Sequence, residues 1–378
     1  MKIFFFGQAT GGNALLWFNF LNHQTKNNKQ LEITFLARTL CTLKHSFKVF
    51  SPYGYKKLPK VIQKLRNKSV SLFLLDLYLF LLKRKGIQDL LILQGNYTPA
   101  TNLKVLSKIE HKKSILNIYG SDFYRKYLRK ELDKAGLKQF IEVLEKVDVI
   151  HCNWHTTKDD FLNEFPQFSE KVLCCPWGAD LDWYEHEMKP KKRKENKVFL
   201  STRALHSYNN VDLVVEAFCK AFPSNTHHQL HIVGAYGCDP EVLKNIRKTI
   251  IDYDQSNNIK IDIDKWYEGT DLMNLYDSAD YNICFGSTDQ LTISIVYAYL
   301  RGTKNILSPL DNYQYLSQLG FKTQSICEEI SVENLKEKFL YLVDNSMDEK
   351  SIISDEKLAR KVFNLETVFN HYMEKINE

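Results

Sequence analysis

Arg203, Asp289, Thr292 and Ser294 are the residues of this 378-residue chain whose types and spacing carry the most chemistry. Thr292 to Arg301 reads as a helix closed by Gly302, which places Thr292 and Ser294 in its first turn. The first N–H groups of a helix have no partner within it, so this turn is a ready site for an anion. Before it, Tyr276 to Ala279 reads as a helix end and Tyr281 to Phe285 as a buried strand. The polar loop Gly286 to Leu291 then carries Asp289 and Gln290. Arg203, just beyond the apolar run Val198 to Ser201, offers a cation for the same anion. Each residue also has a plainer use. Asp289 suits a helix cap or a solvated turn, Arg203 a surface pair with Asp212 or Glu216, and Tyr297 a packed core position.

Such residues need strands and helices to aim them. Lys2 to Phe6 is an apolar run ending at Gly7, and the turn Gly11, Gly12, Asn13 leads into a helical pattern from Ala14 to Leu21. A strand, a glycine turn and a helix form the first unit of a doubly wound parallel sheet. Leu31 to Leu36, Leu90 to Leu93, Ser114 to Tyr119 and Val147 to Cys152 repeat the strand pattern. A polar, basic stretch from His186 to Lys197, containing Pro190, reads as a linker. After it come Val198 to Ser201, a helix around Val211 to Phe222, then Gln229 to Gly234, Ile259 to Asp262, Tyr281 to Phe285 and Asn305 to Leu307. The fold class predicted is α/β: two Rossmann-like doubly wound parallel-sheet domains facing across a cleft, over residues 1–187 and 198–355, with residues 356–378 returning to the first domain.

Composition agrees with two globular domains: 44% hydrophobic, 25% charged, 15 Gly and 9 Pro. The net charge of +6 hides a gradient. Residues 1–190 hold 29 Lys and Arg against 18 Asp and Glu, a charge of +11, whereas residues 191–378 hold 22 against 27, a charge of −5. The longest apolar run, Val70 to Leu82, is interrupted by Asp76 and falls short of the roughly 18–20 residues that span a bilayer. The start of the chain has no secretory pattern, which predicts a cytoplasmic protein. Eight cysteines lack C-x-x-C spacing, so they read as reduced thiols and no metal site is expected. Ser69 to Lys85 is a candidate helix with an apolar body and basic ends, suited either to packing on the sheet or to docking on anionic lipid. Arg125, Lys126, Arg129 and Lys130 add a second basic face to the same half.

The stretch from Leu275 to Gly302 resembles glycosyltransferase family 4, whose members have the two-domain fold called GT-B. The matches are Leu275-Tyr276, Ala279-Asp280, Ser287, Asp289, Ala298 and Gly302. Ser201 to Phe218, with Arg203, Asp212 and Ala217, is similar to the family's phosphate-binding segment. Ile232-Val233-Gly234, Gly178-Ala-Asp180, Asn117 to Asp122 and Phe363 to Glu366 match in the family's order. The departures are specific. Two glutamates seven residues apart in the family are Gln290 and Tyr297 here, the lysine that assists the arginine is Asn209 or Asn210, and the first-domain histidine is Tyr119. A family that transfers 4-acetamido-4,6-dideoxygalactose also has an aromatic residue at that last position and lacks the glutamate pair.

The resemblance implies a nucleotide-sugar-dependent glycosyltransferase of the retaining kind that builds cell-surface polysaccharide or lipopolysaccharide. It implies no resident cofactor and no metal, the nucleotide sugar being a co-substrate. Charge developing on the departing diphosphate requires donors and cations. Arg203, Asn209, Gln290, Leu291, Thr292, Ser294 and Tyr297 would form the donor side, with Asp289, Asp122 and Tyr119 at the reacting groups. Gly12, Trp154 and His155 fall on the acceptor side, although Asp122 equally suits a helix cap and His151 and His155 suit structural positions. The basic half suits an anionic acceptor, or one on a lipid carrier at the inner face of the plasma membrane. A catalytically silent scaffold or glycan-binding accessory protein is the alternative. Nucleic-acid binding through the basic half ranks last, because no recognition helix or stacking motif is present.

Overall fold

A computed structural model describes residues 1–7, 12–27, 30–37, 47–50, 68–84, 86–95, 97–119, 121–128, 132–176, 178–179, 182–188, 195–234, 237–345 and 348–377. The chain divides into two compact units, Met1–Asp180 with Leu365–Glu378, and Leu181–Asn364.

In the first unit, β1 (Lys2–Gly7), β2 (Glu32–Ala37), β3 (Lys48–Phe50), β4 (Gln88–Gln94), β5 (His111–Ile118), β6 (Val149–Cys152) and β7 (Val172–Cys174) form one sheet in the order β3-β2-β1-β4-β5-β6-β7. Every pairing is parallel. Such a sheet is covered on both faces, which is why β1 and β4 are nearly continuous apolar runs rather than alternating ones. The helices are α1 (Gly12–Asn27), α2 (Lys68–Lys83), α3 (Pro99–Lys108), α4 (Lys134–Lys146) and α5 (His155–Glu164), with a π-helical segment at Ser121–Leu128. Pro99 opens α3, where its missing N–H costs nothing, and the Asp133 side chain caps α4 by accepting from the Gly136 N–H at 2.7 Å.

The second unit holds β8 (Val198–Ser201), β9 (Gln229–Val233), β10 (Ile259–Asp262), β11 (Tyr281–Cys284), β12 (Lys304–Leu307) and β13 (Gln324–Ile326), ordered β10-β9-β8-β11-β12-β13 and again all parallel. Its helices are α6 (Asp182–Glu185), α7 (Val211–Ala221), α8 (Pro240–Asp252), α9 (Gly269–Ser278), α10 (Ile293–Leu300), α11 (Asp311–Gln318), α12 (Val332–Asp344) and α13 (Glu349–Val362). Helix α10 is predominantly apolar and buried from Ser294 to Leu300, as befits a helix enclosed by its own domain. It ends at Gly302, whose φ of 62° favours glycine and where a Cβ would meet the Met188 Sδ at 2.4 Å. Helix α14 (Leu365–Asn377) belongs to the first unit.

The two parallel-sheet α/β domains predicted from the strand and helix pattern are present. The predicted strands fall on β1, β2, β4, β5, β6 and β8 to β12. Strands β3, β7 and β13 were not predicted; each is three residues long and lies at a sheet edge. The division between units falls at 180/181 and 364/365, beside sequence-based bounds of 187, 198 and 356. Two contacts account for the second unit's reach. Trp183 in α6 stacks on Tyr297 of α10, and Asp355 in α13 accepts from the Lys322 and Thr323 N–H groups and the Thr323 hydroxyl. Of the predicted linker, residues 189–194 lie outside the described residues.

Candidate active site

Strand order in the second sheet reverses between β8 and β11, with β9 and β10 on one side and β12 and β13 on the other. Open α/β sheets bind ligands at such a switch point, beyond the carboxyl ends of the strands. Arg203 lies two residues past β8, and Asp289 and Gln290 lie between β11 and α10. The topology therefore gathers there the residues singled out in the second half of the sequence.

Arg203 organises the network. Its Nη2 lies 2.9 Å from Asp289 Oδ2 and donates to Asn209 Oδ1 at 3.0 Å, while Nη1 donates to the Thr292 hydroxyl. Asn209 in turn donates to the Ala204 carbonyl at 2.7 Å. Asn209 is thus an acceptor that orients the guanidinium. Asn210, left-handed at φ 52°, donates to the Phe285 carbonyl at 2.9 Å and ties the β8 turn to the β11 loop. Tyr313 donates to Asp289 Oδ2 at 2.8 Å, and the Asn312 amide donates to the Asp289 carbonyl. Arg203 pairs with neither Asp212 nor Glu216; Glu216 pairs with Lys220.

Burial pushes the Asp289 carboxyl above its ordinary value, and Arg203 and Tyr313 offset part of that rise. Burial alone would lower the Arg203 pKa, but Asp289, Cys284, Tyr313 and Tyr208 together outweigh it and the guanidinium stays charged. Buried polar atoms without partners include Arg203 Nε, Ser201 Oγ at the end of β8, and both amide atoms of Gln290, next to Asp289 in the chain. Such groups cost free energy unless something meets them. Thr292 precedes α10 without capping it; its hydroxyl takes the Arg203 hydrogen bond and lies 3.3 Å from Ser294 Oγ, which lies 3.2 Å from Cys284 Sγ. The first N–H groups of α10 thus have no side-chain cap. Leu291 is buried, and Tyr297 stacks on Trp183 with ring centroids 3.7 Å apart and lies edge-on to Tyr276.

Tyr313, Asn312 and Trp183 were not singled out in the sequence. A parallel sheet places the end of β12 beside the end of β11, so the start of α11 was the place to search for Tyr313. Among the described residues no cluster of His, Cys, Asp and Glu is arranged to hold a metal ion.

The remaining sequence-predicted residues lie in the first unit. Tyr119 follows β5 directly, and its hydroxyl donates to the side-chain oxygen of Gln94, the last residue of β4. Gly12 opens α1. Trp154, buried, precedes α5 and packs edge-on to His155, whose pKa burial and Lys158 push down. Asp122 lies in the π-helical segment, and its side chain lies outside the description, as do Gly11, Gly120 and Asp180 altogether. His151, which the sequence suited to a structural position, belongs to a buried cluster that the sequence did not bring together. The Tyr372 hydroxyl of α14 donates to Asn117 Oδ1 at 2.5 Å and meets His151 Nδ1 at 2.5 Å, and His151 Nε2 lies 2.8 Å from the Cys175 carbonyl.

Burial holds the His151 pKa down to about 3, so the native state keeps it neutral. Its unfolded value is about 6.5. Stability from this group is therefore complete above that pH, and is lost as pH falls from about 6.5 towards 3. Between pH 6.5 and 4.5 the loss is about 2–3 kcal/mol. Denaturant unfolding across that range should show this slope in the native chain, and His151→Gln should flatten it. An equal slope in both proteins would assign the acid sensitivity to other groups.

No family model matches the chain, and no curated protein matches it in sequence. Its structure is similar to that of Anabaena HepE in complex with UDP, with a TM-score of 0.72 at 12% identity over 100% of both chains. It is similar to sucrose-phosphate synthase from Thermosynechococcus elongatus, with 0.76 at 13% identity over 99% of this chain and 98% of that one. A mutant of S. aureus TarM in complex with fondaparinux, alpha-GlcNAc-glycerol and UDP gives 0.74 at 13% identity over 100% of both. These likenesses run through both parallel sheets, and the chain therefore has the two-domain fold called GT-B.

Proposed function

We propose that this protein is a glycosyltransferase that moves a sugar from a nucleoside-diphosphate donor to a glycan acceptor. The observation that carries the reading is Arg203. It is a half-buried, charged guanidinium at the switch point, held by Asp289, Asn209 and Thr292, with Nε unpartnered beside an uncapped helix start. Departure of a nucleoside diphosphate builds negative charge on its β-phosphate, and preorganised donors there lower the barrier. Arg203 and the first N–H groups of α10 would receive that charge without a metal. The UDP in the HepE and TarM structures supports a nucleotide donor.

In this reading Gln290 meets the donor with its free amide, and Leu291, Ser294 and Tyr297 wall the donor side. Asp289 accepts from sugar hydroxyls, and Tyr119 and Asp122 position the reacting groups. Gly12, Trp154 and His155 serve the acceptor. The resemblance to family 4 supports a hexosyl donor, a retained anomeric configuration with the departing phosphate deprotonating the acceptor, and a role in cell-surface polysaccharide or lipopolysaccharide synthesis at the inner face of the plasma membrane. A lipid-linked acceptor is consistent with the cationic first half. A silent scaffold is favoured by one observation: Asp289 is engaged by Arg203 and Tyr313, and Tyr297 by Trp183, so both positions are already occupied by protein contacts.

A panel of nucleotide sugars separates these readings. Donor nucleotide at a hundred times its Kd should stabilise the protein by about 2.7 kcal/mol, roughly 5–10 °C in Tm for a domain of this size, with slow donor hydrolysis. No stabilisation by any nucleotide would sink the donor site. Stabilisation without turnover towards any acceptor would establish the scaffold.

A further inference from the structure

Helix α2 buries Leu75, Leu79 and Leu82 on one side. At 100° per residue, Leu77, Phe80, Leu81 and the Arg84 that follows the helix lie on the opposite side. There a surface helix ordinarily carries charge. Instead Leu77 is 43% exposed, Phe80 58% and Leu81 50%, and Ile87, just before β4, is 55% exposed. Four large apolar side chains close together in sequence thus meet solvent.

Each acid beside this stripe is matched by a cation, and Arg84 is the cation left over. Asp76 is paired with Lys104 at 2.7 Å and Asp89 with Lys112 at 2.7 Å. The contact between Lys83 and Glu110, at 3.5 Å between two largely exposed side chains, is the kind that water and salt weaken. Arg84 lies over the Phe80 ring at 5.5 Å, and among the described residues no carboxylate pairs with it. An apolar stripe on a helix that ends at Lys83 and is followed by Arg84 has the pattern of a helix lying in a membrane interface. Its Leu and Phe side chains enter the acyl boundary, and its cations reach lipid phosphates.

We infer that α2 docks the first unit on an anionic lipid bilayer, with Leu77, Phe80, Leu81 and Ile87 inserted and Lys83 and Arg84 at the headgroups. Anionic lipid fits better than a protein partner because the stripe offers no hydrogen-bonding side chain and its neighbouring acids are already paired. The inference stands apart from the donor site and holds whether or not the protein transfers sugar.

Flotation of the full chain with vesicles tests it. Phosphatidylcholine vesicles with 30 mol% phosphatidylglycerol should carry the protein, and pure phosphatidylcholine should carry at least tenfold less. Binding to the anionic vesicles should fall steeply in 0.5 M salt. Phe80→Glu with Leu81→Glu should lower vesicle binding at least tenfold, and Arg84→Glu severalfold, while Tm and UDP binding stay as in the native chain. Ile87→Glu is a second apolar variant should the double variant fold poorly. Absence of the native chain from floated anionic vesicles, or undiminished flotation of the apolar variants, would overturn the docking surface. So would a dimer, seen by sedimentation velocity, that these variants dissolve in a chain that binds no vesicles; the stripe would then cover a second copy.

Discussion

Replacing Arg203 with alanine is expected to weaken UDP binding at least a hundredfold and to destabilise the second unit at the same time. The guanidinium holds three groups through Nη1 and Nη2 and is the only cation paired with Asp289 among the described residues. Charge-assisted hydrogen bonds to a phosphate contribute about 1.5–3 kcal/mol each, and a hundredfold corresponds to about 2.7 kcal/mol. Removing one partner of a buried ion pair costs about 3–5 kcal/mol. The penalty here should lie at the lower end, because the raised pKa of Asp289 lets it take up a proton once Arg203 is gone. Adding Asp289→Asn to Arg203→Ala should restore most of the stability and none of the binding. Calorimetric titration with UDP and denaturant unfolding of the two variants separate the effects. If the double variant binds UDP like the native chain, Arg203 does not hold the phosphates.

Removing Leu365–Glu378 is expected to unfold the first unit. This segment buries Leu365, Val368 and Tyr372. The Tyr372 ring stacks on Trp17 with centroids 5.2 Å apart, and Phe369 packs on Phe20 at 5.1 Å. At about 1.5–3 kcal/mol for each buried side chain, the three contribute roughly 5–9 kcal/mol, comparable with the whole net stability of a domain. The loss also strips the Tyr372 hydroxyl from Asn117 and His151. Entry to α14 is tightly fitted: a Cβ at Gly178 would lie 2.2 Å from the Leu365 N, so no side chain can stand between them. Circular dichroism and limited proteolysis should show a protected second unit and a degraded first one. A shortened chain with both units protected would mean that α14 only decorates the sheet.

The parts of the fold legible in the sequence were those with a strong local signal. Phe4, Phe5 and Phe6 in β1 and Leu90 to Leu93 in β4 are buried runs that only a covered parallel sheet accommodates. Strands β3, β7 and β13 are too short and too partly covered for any run to stand out, and their pairing is set by neighbours distant in sequence. The second-unit site was legible to the same extent. Arg203 and Asp289 each stand one loop beyond a strand that could be read, so their proximity followed from topology. Tyr313 was not legible, because its role depends on β12 lying beside β11. Tyr372 reaches Asn117 across 255 positions of chain, and no periodicity carries that distance.

Helix α14 sets an order of assembly during synthesis. The helix that closes the first sheet emerges from the ribosome only after the whole of Leu181–Asn364 has been made. At about 5–20 residues per second, the first unit waits roughly 10–40 s with Trp17, Asn117 and His151 uncovered while its neighbour, continuous in sequence, is free to fold. The nascent chain therefore carries an open aromatic and polar seam through half of its production, and its yield in a cell depends on what shields that seam until the last helix arrives.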